Sequence, residues 1–368
     1  TADAVALVSR IRALCPDDTT LILRGDSTLR GHVFAEMTCL GLDRGVGLIV
    51  PAFPEAGRIT RDGVHHVRIG TQVCNVADTE FARGPAFGFR ARTMRDWVAE
   101  TGGPRPVTLV RLAALRAGGA SALSVALLNA PDGGVVIPDA ETDGDIAVIA
   151  AGYAAARHRR RVVLRCAAPL AALAAGTPGR PVTDRISARR LLVVCGSHTA
   201  AATAQLDALA TVSLPRLVVP SAALWGPERA AALSGVVDAA RGQLDRYGMT
   251  VVTTERIRSV AHHSQADGAV VMSALVEVAA LLAPEVDAVV TKGGITSADV
   301  VTRALRSQRA RVVGQIETGI SLWTTAPPWG GTVPVAIVPG NIGDDGTLLR
   351  MADLFGHGVR LGRSRPSR

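Results

Sequence analysis

Short runs of aliphatic and β-branched residues alternate with alanine-rich segments along this 368-residue chain, and the alternation restricts the folds open to it. In the first half, strand-like runs are predicted at 20–23, 47–50, 107–110, 134–137 and 161–164. Helical spacing separates several of them, over 31–42 and 146–156. This order predicts an α/β fold with mainly parallel sheets flanked by helices.

The second half repeats the alternation. Strands are predicted at 191–194, 217–220, 249–252, 288–290 and 333–338. Helices are predicted at 199–210, 230–247, 268–282 and 297–305. Residues 171–190 are rich in Ala, Gly, Pro and Arg without a firm period, which is typical of a linker. We therefore predict two domains, 1–170 and 191–359, with a basic tail at 360–368 and a ligand site in the cleft between the domains.

Composition excludes several classes of protein. Hydrophobic residues make up 48% of the chain and charged residues 20%, enough for large cores. No run of 18 uninterrupted apolar residues is present, so no membrane partner is expected. Five cysteines without a C-x-x-C pair indicate a reduced, cytoplasmic protein and no zinc site. The net charge is +8, but aromatics are only 3%, which favours small anionic ligands over nucleic acid.

The loop after the first predicted strand is rich in polar groups. Asp26, Ser27, Thr28 and Arg30 provide an acceptor, two hydroxyls and an anion-binding guanidinium within five residues. In open α/β sheets, ligands bind at the carboxyl edge of the strands, where this loop is expected to lie. An ordinary Ser or Thr helix cap is the alternative.

A second loop, 51–58, follows the next predicted strand. Its two prolines stiffen the backbone, and Glu55 and Arg58 are suited to holding a polyol or a carboxylate. A rigid turn with a surface ion pair is the alternative interpretation.

Three glycine-bearing loops follow strands of the second domain. They are Cys195–Thr199, which contains Ser197; Lys292–Ser297, which begins at the single lysine of the chain; and Val338–Gly346. Parallel strands would bring all three to one sheet edge, where backbone N–H groups can approach phosphates. This convergence predicts a nucleotide site. Carboxylates of the third loop, Asp344 and Asp345, are of the kind that Mg²⁺ uses together with substrate phosphates.

The histidine pairs His65–His66 and His262–His263 have no partner at metal-ligand spacing, so they are interpreted as surface or capping residues and no protein metal site is predicted.

Five segments, in this order, resemble the four-carbon acid sugar kinase family. The matching motifs are D-S-T-x-x-G at 26–31, P-A-F-P-x-x-G-R at 51–58, G-S at 196–197, G-G-x-T-S at 293–297 and G-N-x-G at 340–343. The resemblance covers about 21–351. It implies two α/β domains, an N-terminal acid-sugar domain and a C-terminal nucleotide domain, that phosphorylate acids such as threonate, erythronate and 3-oxo-tetronates with ATP and Mg²⁺.

The resemblance and the chemistry of the loops together assign residues. The substrate-binding set is Asp26, Ser27, Arg30, Glu55 and Arg58. The nucleotide-binding set is Ser197, Lys292, Gly293, Gly294, Ile295, Thr296, Gly340, Asn341 and Gly343. Lys292 is expected to neutralise phosphate charge. A homodimer is compatible with the assignment, and no general base is assigned.

Two departures from the family pattern are visible. Ile295 stands where many members carry Asp or Glu, and the chain lacks the family's leading acidic D-D-x-T-G loop. The first domain is therefore expected to be N-terminally incomplete. The alternative function is a non-catalytic or decayed relative that binds nucleotide or acid sugar.

Overall fold

The computed structural model describes residues 1–84, 86–176, 181–212, 214–256 and 264–357. The chain divides into two compact units, Thr1–Pro178 and Gly179–Arg368. The predicted basic tail and the pair His262–His263 lie outside the described residues.

Unit 1 is built on a parallel five-stranded sheet in the order β1-β8-β2-β7-β6. Its strands are β1 (Leu23–Arg24), β2 (Val46–Val50), β6 (Val107–Val110), β7 (Val135–Pro138) and β8 (Val162–Cys166). Helices cover both faces, so adjacent residues of one strand enter different cores: Leu48 packs in one hydrophobic cluster and Ile49 in another. Burial on both faces explains the continuous apolar runs.

The helices of unit 1 are α1 (Ala2–Leu14), α2 (Val33–Cys39), α3 (Met94–Gly102), α4 (Leu112–Asn129), α5 (Asp143–Arg157) and α6 (Ala168–Ala174). Helix α5 begins with a capping box, in which Thr142 and Asp145 satisfy each other's backbone N–H groups. Helix α4 is interrupted at Gly119, which has non-helical dihedral angles.

A small antiparallel sheet in unit 1 was not predicted from the sequence. It consists of β3 (Arg58–Arg61), β4 (Val64–Ile69) and β5 (Gln72–Asn75), in that order. The turn between β3 and β4 is fixed by buried Asp139, whose carboxylate accepts hydrogen bonds from the N–H groups of Asp62 and Gly63. The predicted strand at 20–23 overlaps the observed β1 only at Leu23, and β1 is a two-residue strand at the edge of the sheet.

Unit 2 contains a seven-stranded mixed sheet in the order β10-β11-β9-β12-β15-β14-β13. Its strands are β9 (Leu191–Cys195), β10 (Leu217–Val219), β11 (Met249–Thr254), β12 (Ala288–Lys292), β13 (Ala310–Glu317), β14 (Ile320–Thr325) and β15 (Val333–Val338). The first five in the spatial order are parallel, and β14 and β13 are antiparallel additions that the sequence reading missed.

The helices of unit 2 are α7 (Ala200–Val212), α8 (Arg229–Tyr247), α9 (Gln265–Leu282), α10 (Gly294–Asp299) and α11 (Thr347–Leu354). Helix α10 continues as a π-helical turn over Val300–Ala304, so the predicted helix at 297–305 changes its hydrogen-bond pattern halfway. The α/β prediction, with mainly parallel sheets flanked by helices, is confirmed.

Two helical segments, Leu112–Asn129 and Ala266–Glu285, are long and apolar enough to cross a membrane by length and composition alone. Both also supply core residues, such as Leu123 and Leu275. Core helices of soluble proteins meet the same criterion, so this observation is weak evidence for a membrane.

Candidate functional site

The three glycine-bearing loops of unit 2 are neighbours at one edge of the sheet. They follow β9, β12 and β15, which lie side by side and run parallel. Lys292 at the end of β12 is in register with Cys195 on one side and Val338 on the other. The carboxyl ends of the strands are therefore level, and the loops begin together.

Two glycines of these loops pack closely against the Ser197 side chain. A Cβ atom on Gly340 would lie 2.6 Å from Ser197 Oγ, and Gly293 Cα is 3.9 Å from the same point. Gly293 has φ +118°, and a Cβ there would lie 3.3 Å from Ser197 Cβ. Only glycine combines this conformation with this proximity.

Helix α10 begins directly at the second of these loops. The N–H groups of Gly294, Ile295 and Thr296 belong to its first turn, where no intrahelical acceptor is available. Thr296 is buried and its hydroxyl packs against Gly196, whereas Ile295 is 72% exposed. The layout favours an anion beside the helix start.

Lys292 lies within this loop cluster, but its side chain is 0% exposed. Its Nζ donates hydrogen bonds to the carbonyl oxygens of Pro339 (2.8 Å) and Ile342 (2.9 Å). Burial lowers the pKa of Lys292 to about 8. The expected role in neutralising phosphate charge is untested, and the observed contacts are to protein carbonyls.

Asn341 and Gly343 lie in the turn that follows β15. Gly343 has φ +93°, and a Cβ there would lie 2.2 Å from Thr347 Oγ1. Position 343 of this turn therefore also requires glycine.

Arg256 is a residue at this site that the sequence reading missed. It lies just after β11, and its guanidinium donates to the carbonyl oxygen of Ser197 and to Thr203 Oγ1. Burial lowers its pKa. Its position directly after a predicted strand was the available signal, but no glycine or motif accompanies it.

The carboxylates of the third loop are not arranged as a metal site. Asp344 accepts hydrogen bonds from Arg350 (2.9 Å) and from the N–H of Gly346 (3.0 Å), and Arg350 holds the pKa of Asp344 below its usual value. Within the described part of the chain, no group of three or more His, Cys, Asp or Glu residues is placed to hold a metal ion. A Mg²⁺ ion here would depend mainly on phosphate oxygens.

In unit 1, the loop after β1 is organised around Asp26. Its carboxylate accepts hydrogen bonds from Thr28 Oγ1 (2.5 Å) and from Arg30 Nε (2.6 Å). The Arg30 guanidinium also lies 5.2 Å from the centre of the Phe81 ring. Leu29, between Thr28 and Arg30 in the chain, has a backbone φ of +69°, which is unusual for a residue other than glycine.

The loop after β2 brings Arg58 to the same part of unit 1. Arg58 is buried and donates to the carbonyl oxygen of Ala56, and burial lowers its pKa while Asp26 opposes that effect. Glu55 in the same loop is exposed. The predicted substrate residues Asp26, Ser27, Arg30 and Arg58 are thus near one another.

The interpretation of His65 as a surface or capping residue is wrong. Its side chain is 1% exposed and joins two elements: Nε2 lies 2.9 Å from the carbonyl oxygen of Ser27, and Nδ1 lies 3.0 Å from Thr60 Oγ1. A carbonyl oxygen only accepts, so Nε2 carries the proton and Nδ1 accepts from the Thr60 hydroxyl. Burial lowers the pKa of His65 to about 4. Strand β4, which carries His65, was not predicted, so its burial was not visible from the sequence.

A buried ion pair lies against the loop after β1. Arg165 of β8 pairs with Glu36 of α2. Its side chain packs against Gly25 and Gly31, where a Cβ would lie 3.2 Å and 3.0 Å from guanidinium nitrogens. The two glycines therefore make room for the arginine.

Unit 1 also has a cavity of about 530 Å³. It is lined by Ala77, Ala82, Arg83, Gly84, Gly88, Phe89, Arg90, Arg92 and Glu100. None of the predicted substrate residues is among them.

Comparison with known proteins connects the two units to separate functions. A sugar-binding N-terminal domain family matches residues 1–174, and a nucleotide-binding C-terminal domain family matches residues 192–348. D-threonate kinase of Bordetella bronchiseptica is 28% identical over 95% of this chain and 86% of its own length.

Two solved structures share the fold. A Haemophilus influenzae protein superposes with a TM-score of 0.60 at 16% identity, covering 97% of this chain and 85% of that one. A Salmonella typhimurium protein gives a TM-score of 0.65 at 17% identity, covering 89% and 79%. The two domain matches, which span most of the chain in the order that the motifs predicted, and the similarity to D-threonate kinase show that the chain belongs to the four-carbon acid sugar kinase family.

Proposed function

We propose that this protein is an ATP-dependent kinase that transfers the γ-phosphoryl group to a hydroxyl of a four-carbon acid sugar of the threonate, erythronate or 3-oxo-tetronate type. The observation that carries the proposal is the meeting of three glycine-bearing loops at one edge of the unit 2 sheet. The similarity to D-threonate kinase supports the substrate class.

The nucleotide would lie along these loops, at the residues that the sequence assigned: Ser197, Lys292, Gly293, Gly294, Ile295, Thr296, Gly340, Asn341 and Gly343. Gly293 and Gly340 pack against the Ser197 side chain, so the three loops meet where backbone N–H groups can approach a phosphate chain. Mg²⁺ would be held mainly by the phosphates themselves and would supply charge neutralisation there.

The acid sugar would bind near Asp26, Ser27, Arg30, Glu55 and Arg58 in unit 1. A guanidinium group can hold a carboxylate by two parallel N–H bonds, which suits Arg30, oriented by Asp26, and Arg58 to the carboxylate of an acid sugar. Such a reaction gains its rate mainly from positioning and charge stabilisation.

The proposal assigns 1–170 to the acid sugar, 191–359 to the nucleotide and 171–190 to the linker, in a cytoplasmic enzyme for which a homodimer is compatible. Its partners are small molecules, and the positive charge serves anionic ligands rather than nucleic acid or membrane.

A coupled assay of ADP release with ATP, Mg²⁺ and a panel of threonate and erythronate stereoisomers tests the proposal. Calorimetric titration with ATP accompanies it. Turnover with at least one four-carbon acid supports the kinase. ATP binding without turnover on the whole panel would favour the alternative, a non-catalytic relative. Absence of ATP binding would reject the nucleotide site.

A further inference from the structure

The single lysine of the chain is buried against the turn that follows β15. The Nζ atom of Lys292 donates to Pro339 and Ile342, the two ends of this turn, at 2.8 Å and 2.9 Å. The turn is also closed on itself, since the N–H of Ile342 donates to the carbonyl of Pro339. One ammonium group therefore holds both ends of the turn.

Two further side chains hold carbonyl groups of the same turn. Thr199 Oγ1 donates to the carbonyl oxygen of Gly340 at 2.7 Å, and Gln205 Nε2 donates to that of Ile342 at 3.2 Å. Gln205 is fully buried, like Lys292. Three donors from β12, from the loop after β9 and from α7 thus restrain the carbonyls of residues 339, 340 and 342.

Because the peptide bond is planar, holding its carbonyl group also fixes the direction of the N–H group of the next residue. In a trans peptide, the C=O of one residue and the N–H of the next point in opposite directions. With their carbonyls turned toward the protein donors, the peptides direct the N–H groups of Gly340, Asn341 and Gly343 away from those donors. These are the three residues of this turn that the nucleotide assignment contains.

We propose that Lys292 is a positioning residue of the nucleotide site: with Thr199 and Gln205, its ammonium group holds the carbonyl oxygens of residues 339–342 inward, so that the amide groups of this turn face the phosphates. This inference rests on the proposed function. In this role Lys292 acts through the turn at 339–342 and does not contact the phosphates directly.

The chemistry of the side chain suits this role. An ammonium group is a compact cation with three donors, which can satisfy converging carbonyl oxygens in a small buried space. Carbonyl oxygens facing a triphosphate would repel it, so their inward orientation is a condition for binding.

Lys292→Met and Gln205→Met test the proposal, with Thr250→Val as the control. Thr250 is equally buried in unit 2 but lies at the amino end of β11. Amide hydrogen exchange over 339–343, where the N–H of Ile342 is bonded to the carbonyl of Pro339, is measured without nucleotide, and the Kd for ATP is measured by calorimetry. Both methionine variants are expected to speed exchange and weaken ATP binding, by about 10- to 100-fold for Lys292→Met. The control is expected to change neither.

Two results would overturn the inference. One is unchanged exchange over 339–343 in Lys292→Met together with weaker ATP binding, which would identify Lys292 as a direct phosphate ligand. The other is unchanged exchange and ATP affinity in the soluble, folded Gln205→Met protein, which would exclude the shared anchor. Wild-type protein that binds no ATP would instead reject the proposed function, and the exchange data would still decide whether Lys292 holds the turn.

Discussion

The candidate sites of the two units are built from different parts of the chain. In unit 1, charged and titratable side chains define the site: Asp26 pairs with Arg30, Arg58 is buried beside them, and His65 holds the carbonyl of Ser27. In unit 2, glycine-bearing loops that pack against the Ser197 side chain define it, and the lysine that lies there is directed at carbonyl groups.

This difference matches the ligands proposed for each unit. A short acid sugar offers one carboxylate and several hydroxyls, which paired side chains can recognise individually. A triphosphate offers many equivalent oxygens, which backbone N–H groups and a helix start can serve without charged side chains. Unit 1 should therefore be sensitive to pH and charge, and unit 2 to a Cβ atom added where its glycine-bearing loops pack together.

The largest expected effect is the pH dependence of unit 1. His65 is neutral in the folded protein, because burial lowers its pKa from 6.5 to about 4. As pH falls below 6.5, His65 binds a proton in the unfolded chain but not in the folded chain. The free energy of unfolding therefore decreases until the pH reaches about 4. The loss from this group is about 3 kcal/mol.

Urea unfolding at pH 7 and pH 4.5, followed by amide exchange within 58–69, measures this effect. His65→Gln should lower the stability of unit 1 at pH 7 and reduce its loss at pH 4.5. His66→Gln, on the adjacent position of the same strand, should keep most of the loss, because burial is the largest cause of the lowered pKa of His65 and the charge of His66 is a smaller one. If wild-type protein and His65→Gln lose the same stability between pH 7 and pH 4.5, His65 is not the cause of the pH dependence of unit 1.

The next effect compares two adjacent glycines of unit 2. Gly293→Ala places a Cβ 3.0 Å from Thr296 Oγ1 at φ +118°, whereas Gly294→Ala meets nothing within 4 Å. Gly293→Ala should destabilise the nucleotide-free protein by about 2 kcal/mol, and Gly294→Ala by less than about 0.5 kcal/mol. Thermal unfolding without ATP measures both. Equal losses would mean that backbone proximity does not distinguish the two positions.

The same comparison shows what could be predicted from the sequence. The meeting of the three glycine-bearing loops could be predicted, because each loop follows a regular apolar strand and parallel topology brings Ser197, Gly293 and Gly340 together. Helices α8 and α9 likewise follow from local periodicity. The antiparallel strands β13 and β14 could not be predicted, because their pairing depends on contacts that no local pattern specifies.

The supporting residues of unit 1 could not be predicted for the same reason. His65 is buried because β4 places it beside Ser27, 38 residues earlier in the chain. Arg165 reaches Glu36 across a separation of 129 residues. Neither residue carries a local sequence signal, and polar residues are usually exposed, so their burial appears only with the tertiary structure.

The smallest expected effect concerns the geometry of a single cation. Arg30 uses Nε for Asp26 and lies over Phe81, two contacts that a planar guanidinium makes and an ammonium does not reproduce. Arg30→Lys keeps the charge but should raise the KM for the acid sugar by about fivefold, roughly 1 kcal/mol, with little change in the KM for ATP. Arg61→Lys, at an exposed arginine paired with Glu141, is the matched control and should change neither value. A rise in the KM for ATP rather than for the acid sugar would place Arg30 in the nucleotide site. The assignment of the acid sugar to unit 1 and the nucleotide to unit 2 would then be wrong.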